Sequence, residues 1–363
     1  MKLEILPVIG IGEIRPGDDL AAVIAGAAPW LRDGDVLLVT SKIVSKAEGR
    51  LVDVPVDGPE RQAARDEALT AETARPVARR GQTRIVQTHH GFVLAAAGID
   101  ASNVDASSLV LLPKDPDASA RSLRAALRER HGLDVAVIIS DTMGRPWRTG
   151  QTDVALGAAG IDPIRDHRGA VDPYGNELQV TQMAVADELA AAGDLVKGKV
   201  SQVPVAVVRG YLAAAEPDDG PGAAALVRDA EHDLFSLGTA EATEAGMRAA
   251  AQLDDTPPQG EPVDDAAVAR AIAAVADVVA PGTVFTLVTD AGVRARLAAD
   301  MTDWPATATG MITCGPAAAG SREDLVRFGA DLHRLRIALA VEGIGAVLLP
   351  APAGSPLAAV LAL

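Results

Sequence analysis

The densest reactive chemistry in this chain lies between Val135 and Gly157, V-A-V-I-I-S-D-T-M-G-R-P-W-R-T-G-Q-T-D-V-A-L-G. An apolar run of strand length delivers Asp141 and Thr142 at its end, and a loop broken by Gly144 and Pro146 is expected to present Arg145, Trp147, Arg148 and Asp153. Hard oxygens beside two guanidinium groups outline a site for a divalent cation or an anionic ligand. A capped turn with solvated arginines would use the same residue types, so the other polar stretches must decide.

Three of them carry compatible chemistry. Thr40 to Arg50, T-S-K-I-V-S-K-A-E-G-R, follows the apolar stretch Val36 to Val39; its hydroxyls, two lysines and glycine are the parts a phosphate site uses, although G-x-x-x-x-G-K-[ST] occurs nowhere in the chain. Ile9 to Ile14, I-G-I-G-E-I, has two glycines that let a ligand approach the backbone or simply make a turn. Asp100 and Asn103 follow Gly98, where a Gly-Ile-Asp loop end can aim a carboxylate at a divalent cation; an Asx turn is the competing account of Asn103. The adjacent His89 and His90, read on a strand, would point to opposite faces and could not share one metal, so one is expected packed and the other solvated.

These residues need a scaffold. Asp18-Asp19 is expected to cap a helix running to Leu31, residues 57–82 to form a solvated helix, Ser108 to Pro113 a strand, and Lys114 to Ser119 to start a helix ending at Gly132. Thr181 to Lys197 reads as a helix with an Ala/Leu/Val face, and Val203 to Arg209 as a buried strand. Strands alternate with helices, yet long loops and antiparallel-looking pieces intervene. The fold class expected is therefore α+β with mixed sheets rather than a doubly wound sheet.

Composition excludes several classes of function. A net charge of −16 and nine aromatic residues (four Phe, three Trp, two Tyr) leave neither the basic surface nor the stacking rings of a nucleic-acid binder. The single cysteine, Cys314, rules out an internal disulfide framework or a cysteine zinc cluster and is expected as a buried thiol. No signal peptide is expected, and Pro350, Pro352 and Pro356 break the uncharged C-terminal end too often for a spanning helix, so a cytoplasmic protein off the membrane is expected. With 363 residues, 48% of them hydrophobic, two domains are expected.

Taken in order, L-P-V-I-G-I, D-G-D-V-L-L-V-T-S-K-I-V-S-K-A-E-G-R, A-G-I-D-A-S-N-V, L-L-P-K-D-P-D-A-S-A, V-I-I-S-D-T-M-G-R-P-W-R-T-G-Q-T-D-V-A-L-G and V-P-V-A-V-V-R-G resemble the gamma-glutamyl ligase family of the deazaflavin coenzyme F420, over residues 1–245. The resemblance implies a mixed-sheet ligase domain using GTP and two divalent cations, Mg²⁺ or Mn²⁺, with K⁺ as a further candidate. These would activate a carboxylate on the phospholactyl tail of coenzyme F420-0 as an acyl phosphate, which the amine of L-glutamate attacks. A free carboxylate is a poor acylating agent, so phosphoryl transfer must come first, and oxygen-held cations suit the charge on the transferring group. By motif, Ile11, Gly12, Glu13, Ile14, Ser41, Lys46 and Asn103 would contact GTP, Asp100, Asp141 and Thr142 would hold the cations, and Asp141, Arg145 and Arg148 would form the catalytic set. Lys199 stands in K-G-K-V, where family members can place an acidic metal ligand, and would touch phosphate instead. Ala96 replaces the family's usual Asn, and His89 a more usual Arg. The family also implies a homodimer.

Residues 246–265, with T-P-P-Q-G-E-P, are expected as a linker, followed by a small α/β region over 266–363. There F-G-A-D-L-H-R-L-R-I-A-L-A-V-E-G-I-G-A-V-L-L is similar to the middle of flavin-dependent nitroreductases. No Arg-Arg-Ser-like FMN-binding start occurs. The likeness implies a degenerate, shortened nitroreductase-like domain with a role in dimer packing, and FMN is not expected. The alternative function is a bifunctional ligase that also reduces dehydro-F420-0 with FMN; a non-catalytic binding module is a third.

Overall fold

The computed structural model describes residues 2–102, 104–198, 201–229, 232–251, 260, 262–301, 303–315, 321–351 and 359–363. Its contacts fall into two units, Met1–Ala242 and Thr243–Leu363. The first unit opens with β1 (Glu4–Pro7), α1 (Leu20–Ala27), β2 (Val36–Thr40), α2 (Ser41–Ala47), β3 (Leu51–Asp53), α3 (Gly58–Glu72), β4 (Thr73–Arg80), β5 (Thr83–Thr88) and β6 (Val93–Ala95). It continues with β7 (Ser108–Val110), α4 (Pro116–His131), β8 (Ala136–Arg145), β9 (Arg148–Ala159), β10 (Arg165–Asp166), β11 (Gln182–Met183), α5 (Val185–Lys197) and β12 (Val205–Arg209). Helix α6 (Thr239–Ala251) begins in this unit and runs past residue 246, where a linker was expected.

A five-stranded sheet in the order β1-β12-β2-β8-β9 organises the first unit. Only β2 and β8 run parallel; the other neighbours are antiparallel, giving the mixed sheet that an α+β fold requires. The apolar runs read as strands are buried on both sides. Leu37, Val39, Val137, Ile139 and Val207 face a core shared with Ile24 of α1 and Leu127 of α4, whereas Val36, Leu38, Ile138 and Val208 face Leu189 and Ala190 of α5. Each such aliphatic side chain stabilises the fold by roughly 1.5–3 kcal/mol. Helix α5 lies so close to the sheet that a Cβ on Gly193 would sit 2.2 Å from Leu38 Cδ1.

Local chemistry sets the element ends. Asp19 accepts Ala22 N at 3.2 Å to cap α1, which stops at Ala27 rather than Leu31 because Pro29 drives Ala28 out of the helical region. Asp115 caps α4 on Ala118 N at 2.9 Å, and Gly132 ends it at φ 64°. The helix expected over 57–82 ends at Glu72. Pro76 cannot sit in a helix interior, and Thr73–Arg80 instead forms an edge strand on β5, with register shifts on either side of the proline.

The expected loop after Thr142 is likewise a hairpin. Strand β8 continues to Arg145, and β9 pairs with it from Asp141 opposite Val154 to Arg145 opposite Arg148, so only Pro146 and Trp147 make the turn. Asp153 therefore lies inside the ladder opposite Thr142, not on a loop.

The second unit contains α7 (Asp265–Val275), β13 (Val284–Leu287), α8 (Ala291–Ala299), β14 (Met311–Gly315), α9 (Arg322–Val341), β15 (Val347–Pro350) and β16 (Ala359–Ala362). Its strands form an antiparallel sheet in the order β13-β14-β16-β15, whose Ile312, Cys314 and Leu361 pack with Val268 of α7 and Phe328, Leu335 and Leu339 of α9. The expected buried thiol of Cys314 is found there. Among the described residues no helix is long and apolar enough to cross a membrane.

Candidate active site

Strand β8 carries Asp141 out of the core to the point where the sheet meets α2. Its carboxylate accepts Ser41 Oγ at 2.7 Å and Thr142 N at 2.6 Å. Ser41 is the first residue of α2, and the next residue, Lys42, places its ammonium 2.7 Å from Asp100 Oδ2. Asp100 also accepts Ser102 N at 2.7 Å and Ser102 Oγ at 3.1 Å. Two consecutive residues at the start of one helix thus anchor carboxylates from two separate parts of the chain.

The two carboxylates are held differently. Burial pushes the Asp141 carboxyl above the usual range against the pull of Ser41 and Thr142, and the charges of Asp153 and Asp100 push it the same way. Burial also opposes ionisation of Asp100, but Lys42 and Ser102 together outweigh it and hold that group below the usual range.

The Asp100 segment is aimed by three successive residues of positive φ: Ala96 at 50°, Ala97 at 53° and Gly98 at 71°. The left-handed conformation costs a residue with a Cβ about 1–2 kcal/mol, so both alanines are strained. Asparagine tolerates this region better, which gives a backbone reason for the residue the family usually has at position 96.

Behind Thr142 lies a feature that sequence reading missed. Asp153, 3% exposed, accepts Thr142 Oγ1 at 2.9 Å, Ser140 Oγ at 2.9 Å and Lys197 Nζ at 2.6 Å. Lys197 is equally buried and donates to Ser140 Oγ at 2.9 Å. A lysine in the last turn of an amphipathic helix ordinarily reads as a solvated cation facing the helix dipole, so nothing local marks this one as buried. Lys42, in the first turn of α2, reads as part of a phosphate site, and nothing local marks it as the partner of Asp100.

The remaining expected residues fall into three groups. Lys46 Nζ lies 2.6 Å from Glu13 Oε1, which brings the Ile11–Ile14 turn against the last turn of α2. The side chains of Ile11 and Ile14 are buried in the core, so that turn can offer a ligand only its backbone, Gly12 and Glu13. Arg145 and Arg148 face each other at the hairpin tip, about 13 Å along the strand from Asp141, exposed and without a hydrogen-bond or ion-pair partner among the described residues. Between them Trp147, at φ 57°, meets the Phe235 ring edge-on at 4.7 Å. Asn103 and Lys199 lie outside the described residues.

The two histidines follow β5 in a turn, not on a strand. His90 nonetheless packs, with Nε2 3.0 Å from Pro113 O and its ring stacked on Phe92, while His89 stays exposed.

Among the described residues no three His, Cys, Asp or Glu side chains converge as a ready metal cage. Asp100 and Asp141 still supply hard oxygen donors, while the Thr142 hydroxyl donates to Asp153, and the repulsion between the two carboxylates is what a cation relieves. That donor set fits Mg²⁺ or Mn²⁺, since such ions bind through one or two carboxylates and complete their shells with water and substrate phosphates.

The family model for F420-0:Gamma-glutamyl ligase matches residues 8–210. The chain belongs to this ligase family. It is 42% identical over 252 residues to the coenzyme F420:L-glutamate ligase of Methanothermobacter thermautotrophicus, which covers 65% of this chain and 99% of the relative. Proteins of the same name from Methanopyrus kandleri and Haloarcula marismortui are 41% and 40% identical, over 64% of this chain and 97% and 95% of their own lengths. Every charged residue placed above in the ligase site lies inside the matched range, and the unit Thr243–Leu363 lies beyond it.

Proposed function

We propose that this chain joins L-glutamate to coenzyme F420-0 with cleavage of GTP, through an acyl phosphate. What supports this reading is the approach of Asp141 to Asp100, yoked by Ser41 and Lys42, in a member of a ligase family. Asp100, Asp141 and Thr142 would hold two divalent cations, which when bound offset the charge of a phosphoryl group in transfer. First, an oxygen of the acceptor carboxylate attacks the γ-phosphorus and the bond to the β,γ-bridging oxygen breaks, releasing GDP. Next, the glutamate amine attacks the acyl carbon, inorganic phosphate departs and the amine loses a proton, leaving an amide.

The chain's own residues act by placement. Ser41 fixes the Asp141 carboxylate, and Lys46 stands where it can exchange Glu13 for a phosphate oxygen. Arg145 and Arg148 offer two unpaired guanidinium groups to anionic groups of the acceptor tail or nucleotide. The C-terminal unit enters this proposal as a nitroreductase-like remnant that packs a homodimer, in a cytoplasmic enzyme.

The purified chain, given GTP, Mn²⁺, L-glutamate and coenzyme F420-0, should release GDP and increase the acceptor mass by one glutamyl residue or more. No mass gain with any divalent cation refutes the reading.

A further inference from the structure

Strand β9 is the last strand of its sheet, so one of its edges faces no other strand. Asp187, in the first turn of α5, caps part of that edge by accepting Ala155 N at 2.9 Å. Beside it opens a cavity of about 250 Å³ floored by Phe92, Met143, Val154, Leu156, Leu226 and Val227. Val154 is the cross-strand partner of Asp141, and Met143 follows Asp141 by two residues with no register shift between them. The cavity therefore opens on the hairpin face that carries Asp141, starting about 7 Å along the strand from it.

The polar lining residues are Arg75, Gln87, Asp187, Arg228, Asp233 and Ser236. Arg75 is committed to Gln87 Oε1 at 3.0 Å, Ser236 O at 2.9 Å and Glu241, which holds Gln87 in place on the wall. Arg228 is exposed and has no hydrogen-bond or ion-pair partner among the described residues. Phe235, next to the wall residue Ser236, meets Trp147 and so ties this wall to the hairpin tip that bears Arg145 and Arg148.

We infer that the cavity receives the flat heteroaromatic ring of the acceptor, with its anionic tail running along the hairpin to Asp141; this rests on the ligase reading above. The volume lies just under the roughly 300–1,000 Å³ of ordinary ligand pockets, enough for one ring system and too little for a nucleoside triphosphate. A dianionic amino acid would meet two acidic residues of the lining, Asp187 and Asp233, as well as six apolar side chains. A planar ring buries its faces there, and its carbonyl and N–H edge finds Gln87, Arg228 and Asp187.

The deazaflavin riboside, which has the ring but lacks the phospholactyl tail, cannot be ligated and so separates ring binding from catalysis. Titrated into the full-length chain and followed by its own fluorescence, it should bind the parent and bind Val227→Trp, which fills the cavity, at least about tenfold more weakly. Arg228→Gln, at an exposed position that leaves folding intact, should weaken it about threefold through one lost charged hydrogen bond. No binding to the parent, or equal affinity for the parent and both variants, overturns the assignment even where ligation of the full acceptor proceeds. Binding that Val227→Trp removes, in a protein that ligates nothing, upholds the cavity and fails the ligase reading instead.

Discussion

Replacing Lys197 by methionine tests the buried pair behind the site. The substitution keeps the aliphatic stem and removes the charge, leaving Asp153 at 3% exposure with two hydroxyl donors and no cation. Breaking such a pair from one side costs about 3–5 kcal/mol, because the remaining charge is desolvated without a partner. In a cooperative unit of some 240 residues each kcal/mol lowers the melting temperature by about 2–4 °C, so Lys197→Met should melt roughly 6–20 °C below the parent. Removing the other charge as well, with Asp153→Asn, should recover about 0.5–3 kcal/mol of that loss. Thermal melts and urea titrations of the parent, the two single variants and the double variant complete the cycle. A Lys197→Met protein melting within about 1 °C of the parent would show that the pair is solvated and refute its burial.

Three further outcomes are expected. The folded protein holds the Asp141 carboxyl above its unfolded value of 3.8, so its ionisation costs stability at pH values above 3.8, and the cost fades as pH falls through the raised folded value. Asp141→Asn should therefore raise the metal-free melting temperature at neutral pH while abolishing ligation; a lowered melting temperature contradicts the sign. Ala96→Asn should stabilise the chain by about 1 kcal/mol in urea unfolding by relieving left-handed strain, and a loss of stability would show that the strain lies elsewhere. Burial pushes the Cys314 thiol up to about 12, so the native protein should ignore a disulfide reagent at about pH 8 and consume one equivalent once unfolded. Reaction of the native protein at the unfolded rate counts against this.

Much of the scaffold was legible because its signals are local. Apolar runs such as Val36 to Val39 are strands, and Asp115 with Gly132 brackets α4, since caps and buried strands need only their own neighbours in sequence. The hairpin after Asp141 was not, because Gly144 and Pro146 signal a break. Here the proline occupies a two-residue turn whose second position a tryptophan fills at φ 57°, so the strands continue on either side. At the site, Asp100 and Asp141 are readable as oxygen donors, but their approach depends on Ser41 and Lys42, far from both in sequence. The burial of Lys197 is invisible for the same physical reason: it depends on Ser140 and Asp153, which only the folded sheet brings to the end of α5.

Because Ser41 and Lys42 are neighbours in one chain, the two carboxylates they hold cannot be tuned separately. One peptide unit fixes how far apart the anchors stand, so a tilt or slide of α2 shifts both carboxylates at once. A residue inserted between Ser41 and Lys42 would turn the second anchor about 100° around the helix and unhitch Asp100 from Asp141 in a single step. Any change in the spacing of the two carboxylates must then come from the residues around the yoke, while the yoke itself moves as one piece.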